Sequence, residues 1–375
     1  MNYTRSMAKF NQTRLNKLQK TLVDKQIDFA FISDYKTIQY ITGFGSNPYE
    51  RILAMIVFAD EDPFIFAPAL EVEVVKSVGW PYDLYGYQDN EDGLEMIYDH
   101  IKERSANPKK IATEQGNLTL SRFNRLQAAF PDADYSFNLT PVIEHQRLIK
   151  DEDEIKKLEQ AGRDADLAFE AGFKALEVGK TELQVAAKLE FATKNRNVPE
   201  MSFGTLVQTA EHAADPHGET SDLVLKNNSL VLFDLGTVYK GYISDASRTV
   251  ALGTPTDHMR EVHQVVLEAQ LAAQAAVKPG ITAASLDKIA RDIIEKAGYG
   301  KYFIHRLGHG MGMSEHEYPS IMQGDDLVLE PGMCFSLEPG VYIPGDLGVR
   351  IEDCVHVTEN GCQPFTHMDK KLQLF

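Results

Sequence analysis

Asp234 and Asp245 lie on two apolar runs that read as the arms of one β-hairpin, and no other feature constrains the chain as tightly. Leu230 to Val238 has the composition of a strand, Tyr239-Lys240 is expected as a two-residue turn, and Gly241 to Leu252 runs back. In that register residue 238 faces 241 and Asp234 faces Asp245. Directly opposed residues share one face of the sheet, with Cβ atoms about 4.5–5.5 Å apart. Two carboxylates held so close repel each other unless a cation stands between them. The hairpin therefore points to a metal.

The pattern around it recurs. Helices are expected at Asp153–Leu176 and Thr181–Asn195, ahead of the hairpin. The second opens on the capping pair Thr181 and Gln184, and Gly179 suits a helix C-terminus. Helices at Thr256–Val277 and Ser285–Ala297 then precede a second strand pair, Gly332–Ile343 and Leu347–Val357. A hairpin centred near Gly345 can place Glu338 opposite Glu352, with room for a longer loop or a bulge. A duplicated half, with an acidic pair from each repeat meeting at its centre, follows from this order. His309, between Gly308 and Gly310, is the candidate nitrogen ligand. Asp234 alone also reads as an acid capping a turn, and His309 alone as a loop residue. Two opposed pairs with a histidine between them are harder to account for that way. Four carboxylates also balance the charge of two divalent cations.

The remaining residues bound the alternatives. The 375-residue length suggests two domains, taken as 1–137 and 138–375. The first alternates helical spacing, as in Leu15-x-x-Leu18-x-x-x-Leu22, with short apolar runs at Phe29–Ile32, Ile52–Phe58 and Phe64–Ala67. Lys110–Glu114 and Asp134–Phe137 continue it, giving a small α/β domain with a mixed sheet. A net charge of −17 argues against nucleic acid and anionic membranes as partners. The amino terminus is polar, and the longest apolar run, Leu53–Ala59, is too short to span a bilayer. Three cysteines, an odd number in a long chain, fit reduced thiols and a cytoplasmic location. Gly308-x-Gly310-x-Gly312 lacks the third glycine of a dinucleotide loop, since Met313 stands there, and G-x-S-x-G is absent. The cysteines sit in strand patterns, where inert buried thiols are the expectation.

Three stretches together carry a resemblance. Phe233-Asp-Leu-Gly with Gly241-Tyr-Ile-Ser-Asp245-Ala-Ser-Arg248-Thr is the first, and His305-Arg-Leu-Gly-His309-Gly-Met-Gly with His316-Glu-Tyr-Pro319 the second. Ser336-Leu-Glu338-Pro-Gly with Val349-Arg350-Ile-Glu352-Asp is the third. These resemble the pita-bread metallopeptidases, most of all the compact bacterial Xaa-Pro dipeptidases (prolidases), with Xaa-Pro aminopeptidases close behind. The resemblance extends over nearly the whole chain and implies an α/β (α+β) fold: a small mixed-sheet amino-terminal domain, then a pseudo-twofold duplicated pita-bread catalytic domain.

Position by position, the resemblance implies that Asp245 and Glu352 bridge two metals. Asp234 completes one, and His309 with Glu338 the other. His217 and His316 match histidines at the substrate, Arg350 an arginine that orients a ligand carboxylate, and His305 with Arg306 the substrate-binding side. The implied reaction is hydrolysis of an Xaa-Pro bond by a metal-bridging hydroxide, with Glu338 handling the proton. Asp215 and Glu315 depart from the family pattern, and each acid stands close to one of the substrate-side histidines. Manganese is expected first, with cobalt or zinc as alternatives. A small Xaa-Pro peptide is the expected partner. A homodimer is also implied, with Asp34–Thr37 or Gly43–Tyr49 as loops reaching a neighbouring subunit. An aminopeptidase for longer peptides is the runner-up, followed by a creatinase-like or non-hydrolytic peptide-binding relative.

Overall fold

The computed structural model describes residues 9–375, so most of the polar amino terminus, Met1 to Ala8, lies outside the described residues. The chain forms two compact units that meet in sequence between Gln146 and Arg147.

The first unit is built on five strands: β1 (Phe29–Ile32), β2 (Ala54–Phe58), β3 (Phe64–Pro68), β4 (Asp83–Tyr87) and β5 (Ile111–Thr113). Their order is β4-β3-β2-β1-β5, with β1–β5 and β3–β4 parallel and the other pairs antiparallel. The inner strands β1, β2 and β3 are buried at every position, which explains their continuous apolar runs. Helices α1 (Gln12–Asp24), α2 (Tyr35–Thr42), α3 (Val72–Ser77), α4 (Gly93–Arg104) and α5 (Leu120–Ala129) accompany them. Asn11, Asp34, Asp92 and Thr119 cap four of these by accepting from backbone N–H groups of the first turn. Two expectations are corrected here, and one strand was missed. Asp134–Phe137 forms no strand, and only an isolated bridge joins Asp134 to Lys110. β4 had no apolar run to announce it, because its first four residues are exposed or half-buried. Asp34–Thr37 is a helix cap and first turn rather than a loop.

Helix α6 (Thr140–Leu148) crosses the boundary, and the second unit then runs through its pattern twice. The first repeat comprises α7 (Glu152–Ala175), α8 (Glu182–Lys194), β6 (Leu206–Thr209), β7 (Ser229–Leu235), β8 (Val238–Tyr239), β9 (Tyr242–Ile243) and β10 (Ala246–Leu252). The second comprises α9 (Asp257–Ala276), α10 (Ala283–Lys296), β11 (Gly308–Gly310), β12 (Glu317–Ile321), β13 (Cys334–Leu337), β14 (Gly340–Ile343), β15 (Leu347–Arg350), β16 (Glu352–Val357) and β17 (Cys362–Pro364). Asp151, Thr181, Thr256 and Thr282 cap the four helices, and Thr181 with Gln184 forms the expected reciprocal pair. Gly179 has a left-handed backbone (φ 91°) but lies beyond the helix end, whose cap is Leu176.

The main sheet has the order β12-β11-β13-β16-β10-β7-β6. Outward from the β10–β16 seam it reads β10-β7-β6 on one side and β16-β13-β11 on the other, which is the pseudo-twofold duplication. Each half carries its own core. Phe169, Phe173, Leu189 and Phe233 fill the first, and Val266, Leu286, Phe335 and Val355 the second. Antiparallel pairing at Ala246↔Asp353 and Ser247↔Glu352 joins the halves. Among the described residues no helix is long and apolar enough to cross a membrane.

Candidate metal centre

The first hairpin closes one residue later than expected. Tyr239 pairs with Tyr242, so the turn is Lys240-Gly241, with φ of 50° and 83° at its two central residues. Positive φ at both positions is the hairpin geometry that matches strand twist, and glycine accommodates it without strain. Asp234 is consequently opposite Ser247, not Asp245. The register has moved by two residues, and side chains alternate with a period of two, so both aspartates keep the same face. They are diagonal neighbours rather than a facing pair.

In the second hairpin the expected register is the observed one. Leu337 pairs with Asp353 and Gly340 with Arg350, which leaves Glu338 facing Glu352 across a break in the ladder at Glu338-Pro339 and Ile351. Ile343 pairs with Leu347 around Gly345, whose φ is 74°.

These hairpins and β11 bring the five predicted donors together. Ligand atoms of Asp245, His309 and Glu352 all lie within 4.8 Å of one another, and all three residues are buried. His309 Nε2 is 3.2 Å from Glu338 Oε1 and 3.8 Å from Asp245 Oδ2. The His309 ring nitrogen Nδ1 is 3.1 Å from the Gly310 carbonyl. That contact assigns the proton to Nδ1 and leaves a lone pair on Nε2. Burial, aided by Arg306, lowers the His309 pKa to about 4, so the ring is neutral near pH 7. A lone pair aimed at carboxylates has no hydrogen to share with them.

The acids repeat the conflict. Burial first, then Asp234 and Glu338, pushes Asp245 well above the usual carboxylate range. Burial and then Asp245 and Glu338 do the same to Glu352, and burial raises Glu338. Asp234 Oδ1 and Glu352 Oε1 are buried without a hydrogen-bond partner. Buried acceptors are normally satisfied, and leaving one unpaired costs about 1–3 kcal/mol, more for a charged group. Orphaned oxygens, raised acids and an imidazole lone pair converging on one spot fit divalent cation binding by carboxylate and imidazole ligands.

The surrounding residues fix these donors. Arg350 donates to Asp234 Oδ2 (2.5 Å), Ser247 Oγ (2.8 Å) and the Tyr342 hydroxyl (2.9 Å). Ser247 in turn donates to Glu352 Oε2 at 2.7 Å, so one guanidinium orients Asp234 directly and Glu352 through a serine. Ser336 donates to Glu338 (2.9 Å) and accepts from the His309 backbone N–H (2.9 Å). His305 Nε2 is 3.0 Å from the Tyr342 hydroxyl, continuing the chain from Arg350. Ser247, Ser336 and Tyr342 had no signal in the sequence beyond their place beside the acids.

The substrate-side candidates are spread more widely. The His316 ring stands edge-on to His309 with centroids 4.1 Å apart. Arg306 donates to Ser320 Oγ at 2.9 Å and is close enough to both His309 and His316 to lower their pKa values. His217 is exposed, and its backbone N–H donates to Asp215 Oδ1. Its imidazole makes no hydrogen bond with the five donors.

Residues 156–359 match the model of metallopeptidase family M24. The chain belongs to that family. Residues 14–149 match the creatinase/prolidase N-terminal domain. The chain is 52% identical over 362 residues to the Xaa-Pro dipeptidase of Lactobacillus helveticus, covering 96% of this chain and 98% of that one. The solved Xaa-Pro dipeptidase from Bacillus anthracis superposes with a TM-score of 0.89 at 32% identity, covering 97% of this chain and 99% of the other. The X-Pro aminopeptidase from Thermotoga maritima superposes at 0.85 and 29% identity, covering 96% and 100%. The mixed-sheet amino-terminal unit and duplicated carboxy-terminal unit are thus the M24 pita-bread architecture.

Proposed function

We propose that this chain hydrolyses the bond between any first residue and a following proline, acting on Xaa-Pro dipeptides with two divalent ions. The observation that carries the reading is the end-to-end match to the Lactobacillus helveticus Xaa-Pro dipeptidase. The cluster of five donors supports it.

Asp245 and Glu352, one from each repeat at the seam, would bridge the ions. Asp234 would hold one, and His309 with Glu338 the other. When bound, such a pair lowers the pKa of a shared water toward ~7 and supplies hydroxide at neutral pH. Glu338 would accept the proton, with Ser336 donating to its Oε1 and holding it in place. His217 and His316 would donate hydrogen bonds to the tetrahedral species. Arg306 would meet the terminal carboxylate that a dipeptide presents, with His305 beside it. An Xaa-Pro amide has no N–H, so a site shaped to the proline ring loses nothing by offering that nitrogen no acceptor.

Manganese is the proposed metal, cobalt and zinc being compatible with the same ligands. A homodimer is proposed. The cytoplasm is the proposed location, on the strength of the free thiols Cys334, Cys354 and Cys362.

An Xaa-Pro aminopeptidase is the second reading, favoured by the likeness to the Thermotoga maritima structure. Hydrolysis rates of Leu-Pro and Leu-Pro-Pro separate the two. The dipeptidase reading expects cleavage of the dipeptide alone, and equal rates on the tripeptide refute it. A creatinase-like or peptide-binding relative would instead show no metal after reconstitution.

A further inference from the structure

A fully buried carboxylate outside the donor cluster has an unusual set of partners. Glu182, the first residue of α8, is 0% exposed. Its Oε1 accepts from the Thr209 backbone N–H at 2.7 Å and faces His212 Nδ1 at 2.9 Å. Its Oε2 accepts from the Ser221 backbone N–H (3.0 Å) and hydroxyl (2.8 Å). Thr209 and Ser221 are the two ends of the loop that carries Asp215-Pro216-His217-Gly218. One acid therefore ties both ends of a 13-residue loop to one helix terminus. The loop has a second tie at its middle, where Gln208 Nε2 donates to the carbonyls of Asp215 (3.0 Å) and Gly218 (2.7 Å).

The tied loop is seated on the metal-bearing hairpin. A Cβ on Gly348, in β15 two residues before Arg350, would overlap the Ala213 carbonyl, so the loop backbone packs directly on that strand. The second repeat has a parallel device. Asp287 of α10, also 0% exposed, accepts from Arg291 (2.9 and 3.0 Å) and from the Leu307 backbone N–H (3.0 Å). Arg291 then donates to the carbonyls of Phe303 (3.0 Å) and His305 (2.9 Å). In each repeat the second helix supplies a buried acid that organises a histidine-bearing loop. A buried acid with this many donors is expensive to disrupt, because losing it strands several buried N–H groups at once.

We propose that Glu182 is a positioning residue for substrate engagement: it sets the place of His217 by clamping both ends of the Thr209–Ser221 loop and takes no part in holding metal. The proposal rests on the reading of His217 as a substrate-side group.

The test is a double-mutant cycle on the metal-loaded enzyme with Leu-Pro, using Glu182→Gln, His217→Ala and the pair, with metal content measured on each. Ser221→Ala, which removes one of the four donors, repeats the cycle with a milder change should Glu182→Gln fold poorly. The expected result is a 10–100-fold fall in kcat/KM for Glu182→Gln at unchanged metal content. The pair should be no worse than His217→Ala alone, because the clamp acts through that histidine. Faster hydrogen exchange at the Thr209 and Ser221 amides should accompany the loss. Three results overturn the proposal. Effects of the two substitutions that multiply, or metal lost in step with activity, remove the positioning role alone. An unchanged kcat/KM in His217→Ala removes the role of His217, and the proposal with it.

Discussion

The two hairpins of the catalytic unit solve one problem in different ways. In the first, Asp234 lies inside a regular strand opposite Ser247, and Asp245 sits just before β10, outside the ladder. In the second, Glu338 and Glu352 face each other at a break in both strands. Their support differs along another line. Asp234 is held by Arg350, Glu338 by Ser336 and Glu352 by Ser247, one side-chain donor each. The nearest polar partner of Asp245 is His309 at 3.8 Å, beyond hydrogen-bonding range. Asp245 is thus the acid least satisfied by protein, whereas Asp234 and Glu352 each have one bonded and one orphaned oxygen. On the proposed reading Asp245 and Glu352 would be the shared ligands, and Asp234 and Glu338 would each serve one ion.

The largest effect should fall at the seam. Asp245→Ala is expected to lose both ions and about 10³-fold or more in kcat, read by metal analysis and Leu-Pro turnover. Full turnover by a folded, metal-loaded Asp245→Ala protein would sink the account. Arg350→Lys comes next. A lysine cannot reach Asp234, Ser247 and Tyr342 together, so metal affinity should fall about 10–100-fold, measurable by competition with a chelator.

A third difference between the repeats is titratable. His263 is buried seven residues after the cap of α9, where α7 has Leu158 at the same distance from its own cap. Burial lowers the His263 pKa from 6.5 to about 4. The unfolded chain then binds a proton that the folded chain refuses. Stability contributed by the neutral ring is therefore present above pH 6.5 and declines as pH falls toward 4, by at most about 3 kcal/mol. His263→Leu should flatten that limb in denaturant melts at pH 7 and pH 4.5. An unchanged slope would show that His263 does not titrate between those values. The smallest effects belong to the hairpin tips. Gly241→Ala and Gly345→Ala each place a side chain at positive φ and should cost about 1 kcal/mol, a fall in Tm of roughly 2–4 °C. A larger loss of metal in Gly241→Ala would mean that the first register is the softer one.

What could be read from sequence follows the same division. Helix caps and apolar periodicity are local, so the doubled helix pair and its Thr181–Gln184 cap were legible. The second register was legible because the glycine at its tip marks the centre of the turn. The first was misplaced by two residues because Lys240-Gly241 needs two positive φ values, and only the glycine half of that pair carries a signal. The face was still right, since a shift of two preserves side-chain parity. Ser247, Tyr342 and Glu182 were invisible for another reason. Each is an ordinary residue until chain folding brings its partner from 105, 8 or up to 39 positions away, and no local pattern records such a contact.

The central claim is that the seam acids serve two ions and the outer acids one. Metal stoichiometry of the reconstituted wild-type, Asp234→Ala and Asp245→Ala proteins, measured by atomic spectroscopy on folded samples, tests it directly. The account predicts two ions, one ion and fewer than one, in that order. Equal stoichiometry in the two variants, or a single ion in the wild-type protein, would contradict it.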